Sequence, residues 1–204
     1  MVREPGRADP GVRKARTLGF SRAQLLAFRD ATVEDLVGPG VKLLFVGINP
    51  GLWTAATGAH FARPGNRFYP ALAAAGITGH RIEAGDGMTE HDRRHLIERG
   101  VGITNLVARA TARADELTAV ELRAGGLVLR QRVSEWRPRV VAVAGVSAYR
   151  QAFGIPKAVL GRQPEGLAGS ELWVVPNPSG LNAHHNLEAL ADAYAAPARA
   201  AGVL

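Results

Sequence analysis

The chain has 204 residues, 47% of them hydrophobic, which is enough to bury one substantial core. It contains no cysteine, and this excludes disulfide bonds, thiolate zinc sites, iron–sulfur clusters and a cysteine nucleophile. The net charge is +7, and nearly all basic residues are arginines, whose planar guanidinium suits phosphate oxygens. The charge is compatible with a polyanionic partner, although codon bias toward arginine and alanine explains it equally well.

The N-terminal segment differs in composition from the rest. Residues 1–20 are basic and contain proline and glycine with little to bury, so we expect a disordered tail followed by a single domain over residues 21–204. No apolar run approaches the roughly 20 residues of a membrane span, and the N-terminus lacks the apolar core of a signal peptide. We therefore expect a monomeric cytoplasmic protein, nucleoid-associated if bacterial, with no membrane partner.

Apolar runs and turn residues divide the chain into alternating strands and helices. Strands are predicted at residues 41–46, 101–107, 140–144 and 172–175. Helices are predicted from Ser21 as N-cap to Phe28, at residues 33–37, 66–75 and 118–136, from Ser147 as N-cap to Phe153, and at residues 187–196. Residues 79–92 and 156–169 are expected to be connections, and Gly125-Gly126 to weaken the long helix. The alternation predicts a three-layer α/β/α sandwich around a mostly parallel sheet.

Two of the predicted strands end in loops of similar design. Gly-Ile-Asn-Pro-Gly at residues 47–51 follows the first strand, and Pro-Asn-Pro-Ser-Gly-Leu-Asn at residues 176–182 follows the last. The carboxyl ends of the strands are where open α/β folds place their ligand sites. We therefore expect both loops to close around one crevice.

Three further segments join these loops in a family resemblance: Gly-Ala-His-Phe at 58–61, Pro-Gly-Asn-Arg-Phe at 64–68 and Gly-Ile-Thr-Asn-Leu-Val at 102–107. Together they resemble the motifs of mismatch-specific uracil/thymine-DNA glycosylases, over about residues 37–196. The resemblance implies a uracil-DNA glycosylase-like fold and a monofunctional base-excision repair enzyme without a metal or organic cofactor. Such an enzyme flips a damaged base out of double-stranded DNA and hydrolyses its N-glycosidic bond. Uracil opposite guanine is the implied substrate, with thymine and ethenocytosine as further candidates.

The resemblance also assigns roles in the first motif. Asn49 is implied to hold the attacking water, with an Asx turn before Pro50 as the alternative. The common uracil-DNA glycosylases carry Asp at that place, so modest chemical power is implied. Gly51 stands where those enzymes carry a Tyr that rejects the thymine methyl, which implies a wider substrate range. The implied base pocket consists of Ile48, Gly51, His60, Phe61 and Asn105, in which Phe61 stacks on the base or is simply a core aromatic, and Asn105 meets the uracil edge or its own loop.

The second motif is implied to contact the DNA through Asn177, Pro178, Ser179, Gly180, Leu181 and Asn182. Leu181 is the implied wedge that fills the gap left by the flipped nucleotide, the alternative being ordinary packing at a helix entry. Asn177 replaces a histidine of the common enzymes, and Asn182-Ala183 replace a Ser and an Arg of some relatives, so recognition of the opposite guanine stays open.

Two other chemistries are not expected. Adjacent histidines on a helix point to different sides, and His184-His185 lack carboxylate or thiol partners nearby, so a phosphate-facing or solvated pair is expected and no metal site. Neither Lys42, in a strand, nor Lys157, in a loop, is placed as a Schiff-base nucleophile, so no strand-nicking activity is expected. A catalytically weak protein that binds mismatched or damaged DNA is the alternative function.

Overall fold

The computed structural model describes residues 19–180 and 185–204. The strands are β1 (Leu43–Gly47), β2 (Val101–Asn105), β3 (Val140–Ala144), β4 (Gly161–Arg162) and β5 (Glu171–Val175). The α-helices are α1 (Arg22–Leu26), α2 (Leu52–Thr57), α3 (Phe68–Ala74), α4 (Glu90–Glu98), α5 (Ala119–Trp136), α6 (Val146–Phe153) and α7 (Leu187–Ala201). A short 3₁₀ helix (Ala114–Glu116) lies between β2 and α5.

The strands form one sheet in the order β2-β1-β3-β5-β4. All neighbours are parallel except β4, which pairs antiparallel with β5 at the edge. Since β1 lies between β2 and β3, both of its edges are paired, and its five residues are buried. The predicted mostly parallel sheet is confirmed, and the four runs predicted as strands are β1, β2, β3 and β5.

Successive residues of β1 enter two different cores, as the alternation of side chains along a strand requires. Leu43 and Phe45 belong to a cluster that includes Leu72 of α3 and Tyr194 of α7. Leu44 and Val46 belong to a second cluster with residues of α5 and α6. Helices therefore cover both faces of the sheet, which confirms the predicted three-layer α/β/α architecture.

Two predictions about helices are wrong: one concerns a whole helical turn, and the other concerns an N-cap residue. Residues 33–37 form no helical turn, because Leu36 pairs with Ile103 of β2 through two backbone hydrogen bonds of 2.9 and 2.7 Å. Ser147 lies inside α6, whose N-cap is Gly145 with φ of +112°. A glycine adopts that backbone conformation without the steric cost of a Cβ atom.

The Gly125-Gly126 pair does not break α5, because each glycine makes a close contact with neighbouring backbone. A Cβ atom on Gly125 would lie 2.4 Å from the carbonyl oxygen of Leu106, and one on Gly126 would lie 2.7 Å from that of Ala152. Both glycines are buried within the helix. They are therefore packing points within a helix that continues across them.

One helix was not predicted, and another begins in a segment that was expected to be irregular. The six-residue α2 follows Gly51 directly, and α4 begins inside the predicted connection at Glu90, with Thr89 as its N-cap. The last helix runs beyond its predicted end, through Pro197 to Ala201. Within the described residues, no helix combines the length and apolar character needed to cross a membrane.

Candidate active site

The loops after β1, β2 and β5 leave the sheet at one edge, because these strands run parallel. They border a cleft of about 700 Å³. Its lining includes residues 47–51, Thr54, His60, Phe61, Arg63, Asn66, Asn105, residues 111–115, Ala144, Asn177 and Ser179. Asn49 and the start of the second motif therefore share one cavity.

The side-chain amide of Asn49 is held by two acceptors from the loop after β2. Its Nδ2 donates to the carbonyl of Arg109 at 3.0 Å and to Thr111 Oγ1 at 2.8 Å. The Thr111 hydroxyl donates onward to the carbonyl of Arg113 at 2.7 Å. Since a backbone carbonyl can only accept, the orientation of the amide is determined by its partners.

This arrangement leaves Asn49 Oδ1 for a ligand. No residue in 19–180 or 185–204 donates a hydrogen bond to that oxygen, while both protons of Nδ2 are in use. A local Asx turn, the alternative considered for Asn49, would need Oδ1 to accept the N–H of Gly51, and no such hydrogen bond is present in the described part of the chain. An acceptor oxygen in a cleft can orient a water molecule through the water's O–H.

Asn105 and His60 form a second polar unit of the cleft. His60 Nε2 lies 2.9 Å from the carbonyl of Glu34 and must donate to it, so Nδ1 of a neutral ring accepts from Asn105 Nδ2 at 3.2 Å. Burial lowers the pKa of His60 below 6.5, against the opposing effect of the Glu34 hydrogen bond, and keeps the ring neutral. Asn105 Oδ1 sits above Gly47, where an added Cβ would lie only 2.4 Å from it.

Phe61 forms one aromatic wall of the cleft. Its ring stacks on Phe68 with centroids 4.1 Å apart and an interplanar angle of 24°. It is partly buried and lines the cavity as well, so it is both packed on the core and accessible to a ligand. Its φ of +54° is rare for a bulky residue and indicates a strained backbone at this position.

Gly51 and Ile48 flank Asn49 in the cleft lining. Gly51 has φ of −75° and ψ of 161°, a conformation open to any residue, and a Cβ atom there would meet nothing within 4 Å. The backbone therefore does not require glycine, and its effect is to leave space. Ile48 is partly buried and packs against the core on the α5 and α6 side of the sheet.

Arg67, of the Pro-Gly-Asn-Arg-Phe segment at residues 64–68, is hydrogen-bonded to the second motif. Asn177 Oδ1 accepts the backbone N–H of Ser179 at 2.9 Å, which shapes the turn. The Arg67 guanidinium donates to the carbonyls of Ser179, at 2.8 Å, and His185, and its own N–H donates to Pro178 O at 3.0 Å. Arg67 therefore holds the chain on both sides of residues 181–184.

The predicted wedge lies outside the described residues. This applies to Leu181 and Asn182, and also to His184. Gly180 is described, and a Cβ atom there would lie 2.8 Å from the carbonyl of Gly65. The second motif and the segment at residues 64–68 therefore touch through their backbones. His185 directly precedes Asn186, the N-cap of α7, and lies outside that helix.

The family model of the uracil DNA glycosylase superfamily matches residues 34–197. The chain belongs to this superfamily. The matched segment contains every lining residue of the cleft. It also spans all five strands of the sheet.

A solved structure with this superfamily's fold supports the architecture. A candidate uracil DNA glycosylase from Methanosarcina acetivorans, determined by solution NMR, matches with a TM-score of 0.53 at 15% sequence identity. The match covers 80% of this chain and 97% of the other. At this identity the likeness concerns the fold.

Several cleft residues were not anticipated from the sequence. These are Thr54, Arg63, Asn66 and residues 111–115. Thr111 is the most informative of them, because it holds Asn49 in place. It lies on the loop that follows Asn105, and this place after the end of a predicted strand is the feature of the sequence that could have indicated it. Its pairing with the Gly51 segment, through Thr111 N–H to Pro50 O at 3.1 Å, depends on the register of β1 and β2.

Ion pairs hold the loop that positions Asn49. Arg109, whose carbonyl accepts from Asn49, donates through its guanidinium to Glu121 of α5 at 2.5 Å and to Asp30 at 3.0 Å. The hydrogen bond from Arg109 lowers the pKa of the Glu121 carboxyl to about 2. The loop after β2 is thus fixed to α5 and to the segment after α1.

Proposed function

We propose that this chain is a monofunctional DNA glycosylase that removes uracil from double-stranded DNA by hydrolysing the N-glycosidic bond. One observation carries the proposal: the Asn49 amide is oriented by Arg109 and Thr111 so that Oδ1 is its one unused polar atom among the described residues. Asn49 lines the cleft together with Asn105 and Phe61. Membership of the uracil DNA glycosylase superfamily supports the same conclusion.

Asn49 would act by orientation. Its Oδ1 accepts a hydrogen bond from water and directs a lone pair of the water oxygen toward the sugar carbon. An amide cannot take the water's proton as a carboxylate can, so the rate relies on positioning and on the stability of the leaving base. This accounts for the proposed modest turnover.

Asn105 would recognise the flipped base. One N–H of its Nδ2 is donated to His60 Nδ1, which leaves Oδ1 as an acceptor for the N3–H of uracil or thymine and the second N–H as a donor for a carbonyl of the base. Phe61 would stack against the base, a contact worth about 1–3 kcal/mol. Both residues line the same cavity as Asn49.

The open space at Gly51 supports a wide base range. Since a side chain could be added there without steric conflict, glycine leaves the cleft large enough for thymine or ethenocytosine as well as uracil. We propose mismatches with guanine as the substrates. In the second motif, Leu181 would fill the vacated position in the stack, flanked by Gly180 and Asn182 with Ser179 at the backbone.

The test uses duplex oligonucleotides with uracil, thymine or ethenocytosine opposite guanine, followed by alkaline cleavage of abasic sites. We expect product from at least the uracil duplex. Asn49→Ala should lower the single-turnover rate at least about 100-fold, because the water is no longer held, while duplex binding stays close to that of the parent chain.

Two results would contradict the proposal. Absence of abasic product at stoichiometric protein, with intact binding of the uracil duplex, would favour a damage-binding protein. Equal rates for Asn49→Ala and the parent would remove Asn49 from the reaction. Circular dichroism provides the control for folding, since Asn49 is part of a hydrogen-bonded loop.

A further inference from the structure

Three side chains with metal-ligand chemistry meet away from the cleft. His80 lies in the turn after α3, and His91 and Asp92 lie in the first turn of α4. One ligand atom from each is within 4.8 Å of the ligand atoms of the other two. None of the three lines the cleft that contains Asn49.

The carboxylate of Asp92 is oriented toward the two histidines. Its Oδ2 accepts the hydroxyl proton of Thr89 at 2.8 Å, and its Oδ1 lies 2.6 Å from His80 Nε2 and 3.7 Å from His91 Nδ1. Thr89 Oγ1 in turn accepts the N–H of Asp92 at 3.1 Å, as N-cap of α4. A second group that orients a ligating carboxylate is typical of metal sites in proteins.

The distances suit a small ion after minor side-chain movement. Ligand bonds of about 2.0–2.2 Å in a tetrahedral zinc site place neighbouring ligand atoms roughly 3.3–3.6 Å apart. The separations here lie on both sides of that value, from 2.6 Å to at most 4.8 Å. The side chains of His80 and His91 are 39% and 80% exposed, so both rings are able to rotate and are accessible from solvent.

We propose that His80, His91 and Asp92 bind a divalent cation of the zinc type. Two imidazole nitrogens and one carboxylate oxygen suit Zn²⁺ or Co²⁺, whereas Mg²⁺ and Ca²⁺ prefer oxygen ligands alone. His95 lies one turn further along α4, but its Nε2 accepts the N–H of Gly79 at 3.3 Å, so water completes the coordination.

The bound ion would link two parts of the chain. It joins the turn after α3 to the start of α4 and so closes the connection between His80 and His91. That connection contacts α2 through Gly85, whose carbonyl accepts from Trp53 Nε1 at 2.8 Å. The role is structural, because the ion stabilises the folded state that it binds.

The experiment is titration of the full chain, without an affinity tag, with Zn²⁺ by calorimetry and with Co²⁺ by visible absorption. We expect one ion per chain and a higher Tm with Zn²⁺. His91→Ala and Asp92→Asn should each weaken Zn²⁺ binding at least about tenfold, and Thr89→Val by about tenfold through loss of the oriented carboxylate.

A matched control uses the other adjacent histidines. The double variant His184→Ala/His185→Ala should bind Zn²⁺ as the parent does. Absence of saturable binding, or equal binding by His91→Ala and the parent, would overturn the proposal. Loss of binding in the double variant would assign the ion to those histidines instead, and displacement by excess Mg²⁺ would contradict a zinc-type site. His91 is exposed, so its variant is expected to fold, as circular dichroism can check.

Discussion

Asparagine at position 49 is matched to its partners. Nδ2 donates to a backbone carbonyl at Arg109 and to Thr111 Oγ1, whose own proton goes to Arg113. An aspartate would have no proton for the Arg109 carbonyl, and two acceptors would face each other at hydrogen-bond distance. The loop after β2 therefore favours an amide here, even though a carboxylate is the stronger base for water.

Gly51 is the residue at which substrate breadth can be tested. We predict that Gly51→Tyr folds normally, since the backbone is in an extended conformation and an added Cβ meets nothing within 4 Å. The ring should exclude the larger bases, so the ratio of the uracil rate to the thymine or ethenocytosine rate should rise about tenfold or more. Single-turnover assays on the three duplexes measure this ratio. Gly51→Ala is the control and should change it little, while an equal loss on all three bases would contradict the steric role.

At the scale of elements, Arg67 connects the start of α3 to the second motif. Its side chain donates to carbonyls on both sides of residues 181–184, and its backbone donates to Pro178. A guanidinium presents several donors in a fixed plane, which allows one residue to hold two carbonyls. The segment that carries the proposed wedge is thus attached to residues 64–68.

We predict that Arg67→Lys weakens binding to damaged duplex about tenfold or more, because hydrogen bonds from a charged group contribute about 1.5–3 kcal/mol each and an ammonium cannot replace both. Fluorescence anisotropy with uracil-containing and intact duplexes measures the specific and nonspecific affinities. Arg123→Lys, an exposed residue of α5, is the matched control with the same change of side chain. Equal effects of the two substitutions would contradict a specific role of the Arg67 guanidinium in holding the second motif.

The stability of the whole molecule should depend on the protonation of His60. The ring is buried and its pKa is lowered by that burial, so the folded protein takes up the proton only below pH 6.5, whereas the unfolded chain takes it up near 6.5. Between those two pKa values the unfolded state binds more protons. The free energy of unfolding therefore falls as pH falls through this window, by up to about 1.4 kcal/mol per pH unit.

Urea unfolding of the parent and of His60→Gln between pH 7 and pH 5 measures this dependence. The amide of Gln does not titrate in this range, so the variant should show a smaller loss of stability on acidification. Some dependence should remain in the variant, because burial also lowers the pKa of His95. Identical pH profiles for the two proteins would show that His60 does not contribute.

The sheet could be predicted from the sequence because its central strands are apolar on both faces, as β1 and β3 are. The segment at residues 33–37 could not, since Leu36 pairs with a residue far along the chain and tertiary contact overrides local preference. The helix α4 carried a capping signal in Thr89, but its polar sequence lacks a clear apolar stripe.

In the candidate site, too, the local sequence pattern predicts some residues, whereas others depend on tertiary contacts. The motif residues were found by resemblance, and the structure places Asn49, Phe61 and Asn105 in one cleft. The partners that orient Asn49 are 60 and 62 positions away, so only the register of β1 on β2 brings them together. The cluster at His80, His91 and Asp92 depends likewise on how α4 packs after α3.

Gly125 of α5 connects the helix layer behind the sheet to the cleft. A methyl group on Gly125 would push on the carbonyl of Leu106, the residue directly after Asn105. Packed protein interiors transmit such displacement and do not absorb it. A side chain introduced at position 125, on the helix behind the sheet, is therefore expected to displace the end of β2 and with it Asn105 in the cleft.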